Sequence, residues 1–407
     1  MATVAILSGN STVQAVKDLG YNLVSINESV SLSSALLAEH VLEIDLNDWE
    51  DARNRLADLH RRFPIDGILT NYQRYTLCAA YLAESLGIRG LSVQGAQNCN
   101  NKLRMRRTLN QHGVSVVQYG TATDVDEALS VARRIGYPVV IKPVEGGGSE
   151  GVRFCENEAA LREEARGFFG RPAGRDSNDC LLIEEFLDGP QFTVDAILRD
   201  GQAEIVIVNE LAVGGYPSLV SLGYRYPPRV DPQVLEQIRT TVLDAFPVLG
   251  MDYGNAHVEI RLTDRGPKII EVNPRAPGGR IREVAIAVTG IDIVWEGIAS
   301  VAGKQAPRRE PVARYALVKD FIADQGGILR YRSGLFSADV EDPESMVKHP
   351  LIEMNVPSGE EVAPFHEEPG VLGRIVVLGQ TEGEVSEKMD RVLKELDFCI
   401  EPAGCCG

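Results

Sequence analysis

The sequence predicts a chain of α/β and α+β class, in which a parallel α/β domain over residues 1–100 precedes a largely antiparallel unit. Two patterns carry this prediction. In the first hundred residues, short apolar runs alternate with helical repeats, which is typical of a parallel sheet. After Asp188-Gly189-Pro190 the pattern changes to long strands, which favours an antiparallel sheet. The length of 407 residues, at about 150 residues per domain, accommodates two or three domains, the last a mixed segment from residue 305.

The N-terminal elements follow from the apolar runs. We expect strands at Val4–Leu7, Leu23–Ile26 and Ile68–Thr70, with a helix after the first strand and another that ends at Leu86. The first strand is followed by Ser8-Gly9-Asn10 instead of a GxGxxG loop, so no dinucleotide site is predicted there.

A second unit follows the polar stretch Gln94–Asn101. Its predicted elements are helix Leu103–His112, strand Ser115–Tyr119, helix Asp124–Ile135, strands Val139–Lys142 and Val152–Cys155, a helix from Glu158, and strand Cys180–Phe186. The long strands are Gln191–Leu198, Ala203–Asn209, His257–Leu262 and Lys268–Val272, with helices near 231–246 and 291–302. The last hundred residues add strands near Ala316 and Ile375 and the helix Glu382–Leu396.

The composition argues against several functional classes. Fifty-eight Asp and Glu against 41 Lys and Arg give a formal charge of -17, which disfavours nucleic acid and anionic membranes as partners. Seven cysteines without a CxxC pair argue against a disulfide framework and favour a reducing, cytoplasmic location. Cys405 and Cys406 are interpreted as terminal thiols without function, with a redox or metal role as the alternative. No apolar run approaches the ~20 residues of a membrane span, and no basic leader pattern precedes the first strand.

The segment Asn255–Arg275 is typical of a hairpin, with Gly266 in the left-handed position of a three-residue loop. The predicted register sets Glu259 opposite Glu271, His257 opposite Asn273, and Arg261 opposite Ile269. The buried face is then Val258, Ile260, Leu262, Ile270 and Val272. Facing carboxylates repel each other unless a cation lies between them, and oxygen donors of this kind suit Mg²⁺. The alternative is neutralisation by Arg261 or by a basic residue of a neighbouring strand.

The segment Pro138–Phe154 has the pattern of strand, glycine-rich loop and strand. The loop contains Gly146, Gly147, Gly148, Ser149 and Gly151. Consecutive glycines let backbone N–H groups approach phosphate oxygens, and Lys142 would add a positive charge beside them. Because the GK[ST] signature of a P-loop and its following helix are absent, the pattern predicts a flap that closes over a triphosphate. A flexible hairpin with a surface lysine is the alternative.

The segment 181–189, LLIEEFLDG, is an apolar strand that runs into a turn through Glu184, Phe186 and Leu187. A chain that passes between two lobes offers backbone groups to the edge of an adenine and apolar side chains to its faces. Any buried strand end has a similar pattern, so this segment is informative only together with the others.

Taken in order, these motifs make the chain similar to the ATP-grasp superfamily of carboxylate-amine ligases. The resemblance runs from about residue 60 to 304 and rests on Lys102, Lys142, the glycine-rich flap, the EEFL segment, Glu259, Glu271, Asn273 and Arg275. It implies an ATP-grasp fold: a domain at 101–304 that contains a mobile nucleotide lid at 112–188, the preceding parallel domain at 1–100, and a C-terminal α/β domain at 305–407.

The resemblance also implies roles for individual residues. The ATP phosphates would be contacted by Lys102, Lys142, Gly146, Gly147, Gly148 and Ser149, and the adenine by Glu184, Phe186 and Leu187. The ligands of Mg²⁺, or of Mn²⁺ as an alternative ion, would be Glu259, Glu271 and Asn273. Arg275 would be the catalytic cation that stabilises the acyl phosphate and the tetrahedral intermediate.

The run Pro274–Ile281 bears on the subfamily. It lacks the His-Asn-Ser-Gly-His type of run found in members that carboxylate aminoimidazole ribonucleotide, and it is similar to the L-amino-acid (dipeptide) ligases. That likeness implies substrate contacts for His257, Gly278, Gly279 and Arg280. The stretch Thr70–Tyr75 lacks the acidic residue with which some dipeptide ligases bind a substrate amino group, so the substrates stay open.

These features together predict a Mg²⁺-dependent ligase that uses ATP to join a small carboxylate, expected to be an amino acid, to an amine through an acyl phosphate. Small molecules are the expected partners, and a homodimer is left open. The alternatives are a ligase that loads an amino acid onto a carrier protein and a non-catalytic ATP-binding scaffold.

Overall fold

The computed structural model describes residues 1–147, 150–170, 180–214, 217–365 and 370–402. Gly148 and Ser149 of the expected flap, and the pair Cys405 and Cys406, lie outside the described residues. The predicted fold class is confirmed, because a parallel sheet forms the N-terminal domain and antiparallel sheets form the remainder.

The N-terminal domain is built on a parallel sheet with strand order β3-β2-β1-β4. Its strands are β1 (Thr3–Leu7), β2 (Asn22–Asn27), β3 (His40–Glu43) and β4 (Gly67–Leu69). Its helices are α1 (Asn10–Asp18), α2 (Leu32–Leu37), α3 (Trp49–Arg62), α4 (Thr76–Leu86) and α5 (Val93–Asn100), with a 3₁₀ turn at Gln73–Tyr75. Every residue of β1 is buried, as expected for a parallel strand covered on both faces.

The polar stretch at Gln94–Asn101 is largely helical. Helix α5 begins after Ser92, whose hydroxyl accepts a hydrogen bond from the N–H of Gly95. The buried side chain of Asn98 donates to the carbonyl of Leu249. Polar side chains at this stretch therefore cap helix α5 and form a hydrogen bond to α9.

The segment expected to form the nucleotide lid, residues 112–188 and called the lid below, contains an antiparallel sheet with strand order β5-β8-β6-β7 in its described part. The elements of this region are α6 (Lys102–Gln111), β5 (Tyr119–Ala122), α7 (Val125–Ile135), β6 (Val139–Pro143), β7 (Arg153–Cys155), α8 (Glu158–Phe169) and β8 (Leu181–Glu185). The prediction of a strand at Ser115–Tyr119 is wrong. Ser115 has a φ of 55°, and its hydroxyl accepts a 2.6 Å hydrogen bond from the N–H of Ile269, so this segment is anchored outside the lid sheet.

A large antiparallel sheet, here called the central sheet, has the strand order β13-β12-β9-β10-β11-β14-β18-β16. Its first part comprises β9 (Gln191–Arg199), β10 (Gln202–Gly214), β11 (Val220–Tyr226), α9 (Pro232–Leu249), β12 (Gly254–Thr263), β13 (Gly266–Asn273), α10 (Ile281–Thr289) and α11 (Ile293–Ala302). The C-terminal elements are β14 (Tyr315–Phe321), β15 (Gly327–Arg330), α12 (Pro343–Lys348), β16 (Leu351–Met354), β17 (Glu361–Val362), β18 (Gly373–Gly379), α13 (Glu382–Leu396) and β19 (Cys399–Glu401).

The central sheet continues across the expected domain boundary at residue 304. Strand β14 pairs with β11, and β18 and β16 extend the sheet further. The division at 304 therefore remains a proposal. Within the described part of the chain, no single helix is long and apolar enough to cross a bilayer; α10 and α11 meet that criterion only as a pair bent by 88°.

Gly297 of α11 sets the distance between this helix and the central sheet. A Cβ at Gly297 would lie 2.0 Å from Oδ1 of Asn255, a buried residue that donates to the carbonyl of Ile293. We expect Gly297→Ala to lower the free energy of unfolding by about 1–3 kcal/mol, measured by urea denaturation. The matched control Gly167→Ala in α8, where nothing lies within 4 Å of the added Cβ, should stabilise by up to about 1 kcal/mol. Equal stability of the two variants would contradict this close packing.

Candidate active site

A cleft between the lid and the central sheet brings together most of the predicted site residues. Those that line it are Lys102, Lys142, Gly147, Glu184, Phe186, Leu187, Glu259, Glu271, Asn273 and Arg275. Apolar side chains complete its walls, namely Val140, Val152, Leu211, Val213, Leu219, Val220 and Ile270. A partly apolar cleft with a few convergent charged groups is the usual form of a small-molecule site.

The polar face of the hairpin has the predicted register at its key positions. Glu259 lies opposite Glu271, and His257 lies opposite Asn273. Beyond them, a β-bulge shifts the register. Arg261 pairs with Lys268, not with Ile269 as expected, and the connecting loop is shorter because Thr263 pairs with Gly266.

The bulge also corrects the predicted buried face. Ile269 is fully buried in the core beside α9, whereas Ile270 lines the cleft. An extra residue in one strand re-aims the side chains that follow, and bulges are common next to active sites. Ile270 therefore contributes to the wall of the cleft instead of the core.

The two facing carboxylates have few partners. Glu259 Oε2 accepts a 2.9 Å hydrogen bond from Gln191 Nε2. Glu271 Oε1 is 3.4 Å from Lys102 Nζ, yet this buried oxygen has no hydrogen-bond donor within the described ranges. Burial raises the pKa of Glu259, and the charge of Glu271 raises it further. The expected alternative named Arg261 or a basic residue of a neighbouring strand. Arg261 donates to Gln191 and to the carbonyl of Leu187, and the cation near Glu271 is Lys102 of helix α6.

This donor set fits a divalent cation. An underbonded, buried carboxylate oxygen beside a second carboxylate is the environment that hard cations such as Mg²⁺ occupy. No cluster of three or more His, Cys, Asp or Glu side chains that could hold a metal occurs in the described stretches. A metal ion here would therefore need the Asn273 amide, ATP oxygens or water to complete its shell.

The base of the expected flap is tied to its surroundings. Lys102 Nζ donates to the carbonyl of Gly146 at 2.5 Å, and the N–H of Lys102 donates to the carbonyl of Val144 at 2.9 Å. A Cβ on Gly147 would lie 3.2 Å from Oε1 of Gln73, so the flap base also approaches the N-terminal domain. These contacts bring Lys102 to the start of the glycine-rich loop.

Glu184 is held between two cations. Its carboxylate oxygens lie 2.6 Å from Nε of Arg106 and 2.6 Å from Nζ of Lys142. Burial alone would raise the pKa of Glu184, but Arg106 and Lys142 together hold it at about 2. Arg106 is fully buried and also donates to the carbonyl of Ile269 at 2.7 Å, so it links the lid to β13.

Sequence reasoning did not identify Arg106. The usable signal was its position four residues after Lys102 in an amphipathic helix, which places both cations on one face of α6. Asp195 of β9 was missed as well, because a lone acidic residue within a strand carries no pattern of its own.

The predicted substrate residues are not among those that line the cleft. His257 is buried, and its Nδ1 lies 2.7 Å from Oδ1 of Asp195. Burial lowers the pKa of His257, but the carboxylates of Asp195 and Glu259 together raise it above its ordinary value. Gly278 is exposed, and the carbonyl of Gly279 accepts a 3.0 Å hydrogen bond from the hydroxyl of Tyr224.

Arg280 and Arg275 differ in what they contact. Arg280 forms ion pairs with Glu353 of β16 and with Glu283 of α10. Arg275 lies at the cleft, where its NH1 donates to the carbonyl of Ala276 at 3.0 Å. Arg275 is thus the guanidinium of the segment Pro274–Ile281 that faces the cleft, and substrate contact by Arg280 remains a prediction.

Two family models match this chain, one over the N-terminal domain and one over the region that contributes most of the cleft. Residues 101–307 match the family model described as the carbamoyl-phosphate synthase L chain, ATP binding domain, and residues 13–90 match the ATP-grasp N-terminal domain. The uncharacterized protein y4rH of Sinorhizobium fredii is 26% identical over 397 residues, which cover 97% of this chain and 81% of that protein. Carnosine synthase 1 of Homo sapiens is 24% identical over 331 residues, 75% of this chain and 40% of that protein. An L-amino acid ligase from Bacillus licheniformis shares the fold, with a TM-score of 0.79 at 20% identity over 99% of both chains.

The ion pairs of Glu184 generate a pH-dependent prediction. Its folded-state pKa of about 2 lies below the ordinary value of 4.5, so the charged carboxylate stabilises the fold above pH 4.5, and this stabilisation is lost as the pH falls towards 2. We expect Glu184→Gln to lower the free energy of unfolding by roughly 3–5 kcal/mol at neutral pH. Urea denaturation of both proteins down to about pH 3 measures the difference between their free energies of unfolding. We expect this difference to become smaller as the pH falls. A difference in the free energy of unfolding that grows as the pH falls would contradict the stabilising role of these ion pairs.

Proposed function

Because the chain belongs to the ATP-grasp superfamily of carboxylate-amine ligases, we propose that its cleft activates a small carboxylate with ATP and joins it to an amine, with an amino acid on at least one side. The observation that carries the proposal is the convergence of two facing carboxylates, two buried lysines and Arg275 in one cleft. No cysteine, serine or histidine nucleophile is needed for such chemistry, because phosphoryl transfer depends on positioning and charge neutralisation.

The cleft separates an apolar part from a charged part. Val140, Val152 and Phe186 would enclose the adenine, while Lys102 and Lys142 would bind the phosphates. Mg²⁺, which ATP-grasp ligases use with ATP, would be held by Glu259, Glu271 and Asn273 and would neutralise phosphate charge there. In a chain of net charge -17, these local cations are what makes an anionic substrate acceptable.

The proposed reaction has two steps. A carboxylate oxygen of the first substrate attacks the γ-phosphorus of ATP, ADP leaves, and an acyl phosphate forms. The amine nitrogen then attacks the carbonyl carbon, the bond from that carbon to the phosphate oxygen breaks, and the amine loses a proton as the amide forms. Arg275 would stabilise the negative charge on the carbonyl oxygen and on the departing phosphate, because its planar fork donates several hydrogen bonds.

Two likenesses support an amino acid as substrate. The run Pro274–Ile281 is similar to that of the L-amino-acid ligases, and the neighbouring fold from Bacillus licheniformis is described as an L-amino acid ligase. Phosphate release measured with ATP and pooled L-amino acids tests the proposal. Release that requires a carrier protein as acceptor would favour carrier loading, and stoichiometric ATP binding without acceptor-dependent turnover would favour the scaffold.

A cytoplasmic location and a homodimer also remain proposals. The first rests on cysteine usage, since Cys78, Cys99, Cys155, Cys180 and Cys399 are free thiols among the described residues.

The carboxylate pair gives the first functional prediction. Glu271→Gln removes one charge at nearly constant shape, so we expect turnover to fall by about 10²-fold or more and to recover in part at high Mg²⁺. Steady-state kinetics across a Mg²⁺ titration measures this effect, and Glu401→Gln at the exposed edge of β19 is the control. Near-normal turnover of Glu271→Gln at ordinary Mg²⁺ would refute the metal assignment.

Arg275 gives the second functional prediction. We expect Arg275→Ala to leave ATP binding intact while slowing ligation by ~10²-fold or more, the scale of losing one oxyanion donor. Calorimetric ATP binding and single-turnover ligation separate the two effects, and Arg330→Ala, which removes an arginine far from the cleft, serves as the control. Unchanged ligation would move the stabilising cation elsewhere.

A further inference from the structure

We propose that Ser115 and Arg106 are positioning residues for the proposed metal site. By binding both backbone groups of Ile269, they hold the β-bulge of β13 in the conformation that directs Glu271 into the cleft. This inference deepens the proposed ligase function and rests on it. It assigns part of the geometry of the carboxylate pair to two residues that are not among those lining the cleft.

The bulge lies directly beside the carboxylate pair. Glu259 of β12 pairs with Glu271. The next residue of β12 pairs with Ile269, so Ile270 is the extra residue of β13. In a regular strand Glu271 and Ile269 would share one face of the sheet, because side chains alternate. Here Ile269 is buried in the core while Glu271 lines the cleft, so the direction of this carboxylate depends on the bulge.

The bulge is fixed from outside the central sheet. Strand β13 is an edge strand of that sheet, and an edge strand leaves the backbone groups of its outer side without a partner strand. At Ile269 two other parts of the chain take the place of a strand. Ser115 Oγ accepts a 2.6 Å hydrogen bond from the N–H of Ile269, and the guanidinium of Arg106 donates to its carbonyl at 2.7 Å. Both bonds fall on the residue next to the extra one.

The two anchors are themselves fixed. Arg106 is fully buried, and Glu184 accepts a 2.6 Å hydrogen bond from its Nε. The guanidinium also donates to the carbonyl of Ser115 at 3.5 Å, so the two anchors contact each other. Ser115 is buried with a φ of 55°, a conformation that few residues other than glycine adopt. Such a conformation persists where surrounding contacts determine it, as the bonds to Arg106 and Ile269 do here.

The backbone position of Glu271 matters because its side chain has few contacts. Its Oε1 is buried and has no hydrogen-bond donor among the described residues, and Lys102 Nζ is 3.4 Å away. The location of the carboxylate oxygens therefore depends mainly on the backbone of β13. Residues that orient metal ligands from behind change metal affinity or activity by about 10–100-fold when they are replaced. Ser115 and Arg106 would act in this way through the bulge.

The variant Ser115→Ala tests the proposal, because it removes one hydroxyl and leaves the ion pair of Arg106 in place. Calorimetry measures ADP binding to the full-length protein over a series of Mg²⁺ concentrations. We expect the Mg²⁺ concentration that gives half of the full effect on ADP affinity to rise about tenfold or more. ADP binding without Mg²⁺ should keep its wild-type affinity, because the lysines and the apolar walls of the cleft are unchanged.

A second measurement does not involve the metal. In the protein without ligands, amide hydrogen exchange at residues 268–271 should be faster in Ser115→Ala, because the N–H of Ile269 loses its acceptor.

The matched control is Ser300→Ala. The buried hydroxyl of Ser300 accepts a 3.0 Å hydrogen bond from the N–H of Gly254 and donates to the carbonyl of Leu198 at 2.6 Å. This variant also removes a buried hydroxyl that binds the backbone of the central sheet, and it should keep the wild-type Mg²⁺ dependence.

The double variant Ser115→Ala/Arg106→Lys tests whether the two residues act on the same feature. Arg106→Lys keeps a positive charge beside Glu184 but loses the planar fork that reaches Glu184 and Ile269 together. It should raise the Mg²⁺ requirement as well. Because both substitutions release Ile269, their effects on the free energy of Mg²⁺ binding should be less than additive. Additive effects would overturn the joint role.

The outcomes separate this inference from the proposed function. A wild-type Mg²⁺ dependence in Ser115→Ala, or unchanged exchange at residues 268–271, would overturn the inference while the ligase proposal would stand. An equal rise of the Mg²⁺ requirement in Ser300→Ala would attribute the effect to a general loss of stability and would also overturn it. Absence of ADP binding to the wild-type protein at every Mg²⁺ concentration would overturn the proposed function, and this inference with it.

Discussion

The site depends on two carboxylates that face each other across an antiparallel ladder. Glu259 and Glu271 are placed opposite each other by backbone register, and both are only partly exposed to water. Like charges in this arrangement repel and destabilise the strand pair. Neighbouring groups offset part of this repulsion, because Gln191 donates a hydrogen bond to Glu259 and Lys102 lies near Glu271. Burial and the charge of Glu271 nevertheless raise the pKa of Glu259. The hairpin therefore carries negative charge that the described neighbours neutralise only in part, and this supports the proposed cation site.

Ion pairs and hydrogen bonds also connect the lid to the central sheet. Glu184 of the lid holds Lys142 and Arg106, and Arg106 reaches the carbonyl of Ile269 on β13. Ser115, at the start of the lid, is bound to the same residue through its hydroxyl. The segment that would carry the nucleotide and the strand that would carry the metal thus share one buried arginine.

Much of this arrangement was predictable from local pattern. Strand periodicity gave the register that opposes Glu259 and Glu271, and the order of the motifs gave the family. The bulge was not predictable, because Ile269 and Ile270 are both apolar and alternation does not distinguish which one enters the core. Arg106 was not predictable either, since its role depends on tertiary partners far away in sequence, namely Glu184 and the carbonyl of Ile269. The strand expected at Ser115 failed because a long-range hydrogen bond overrode local propensity.

The continuity of the central sheet has a consequence for how this chain is divided. Strand β11 is hydrogen-bonded along β14, so a fragment cut at residue 304 would present a row of unpaired backbone groups next to the Tyr224 hydroxyl that fixes the glycine turn. Open strands of that kind recruit other chains and promote aggregation. We therefore expect a fragment that ends at residue 304 to need a replacement for β14 and the strands beyond it, because β11 would otherwise lie at an open edge of the sheet.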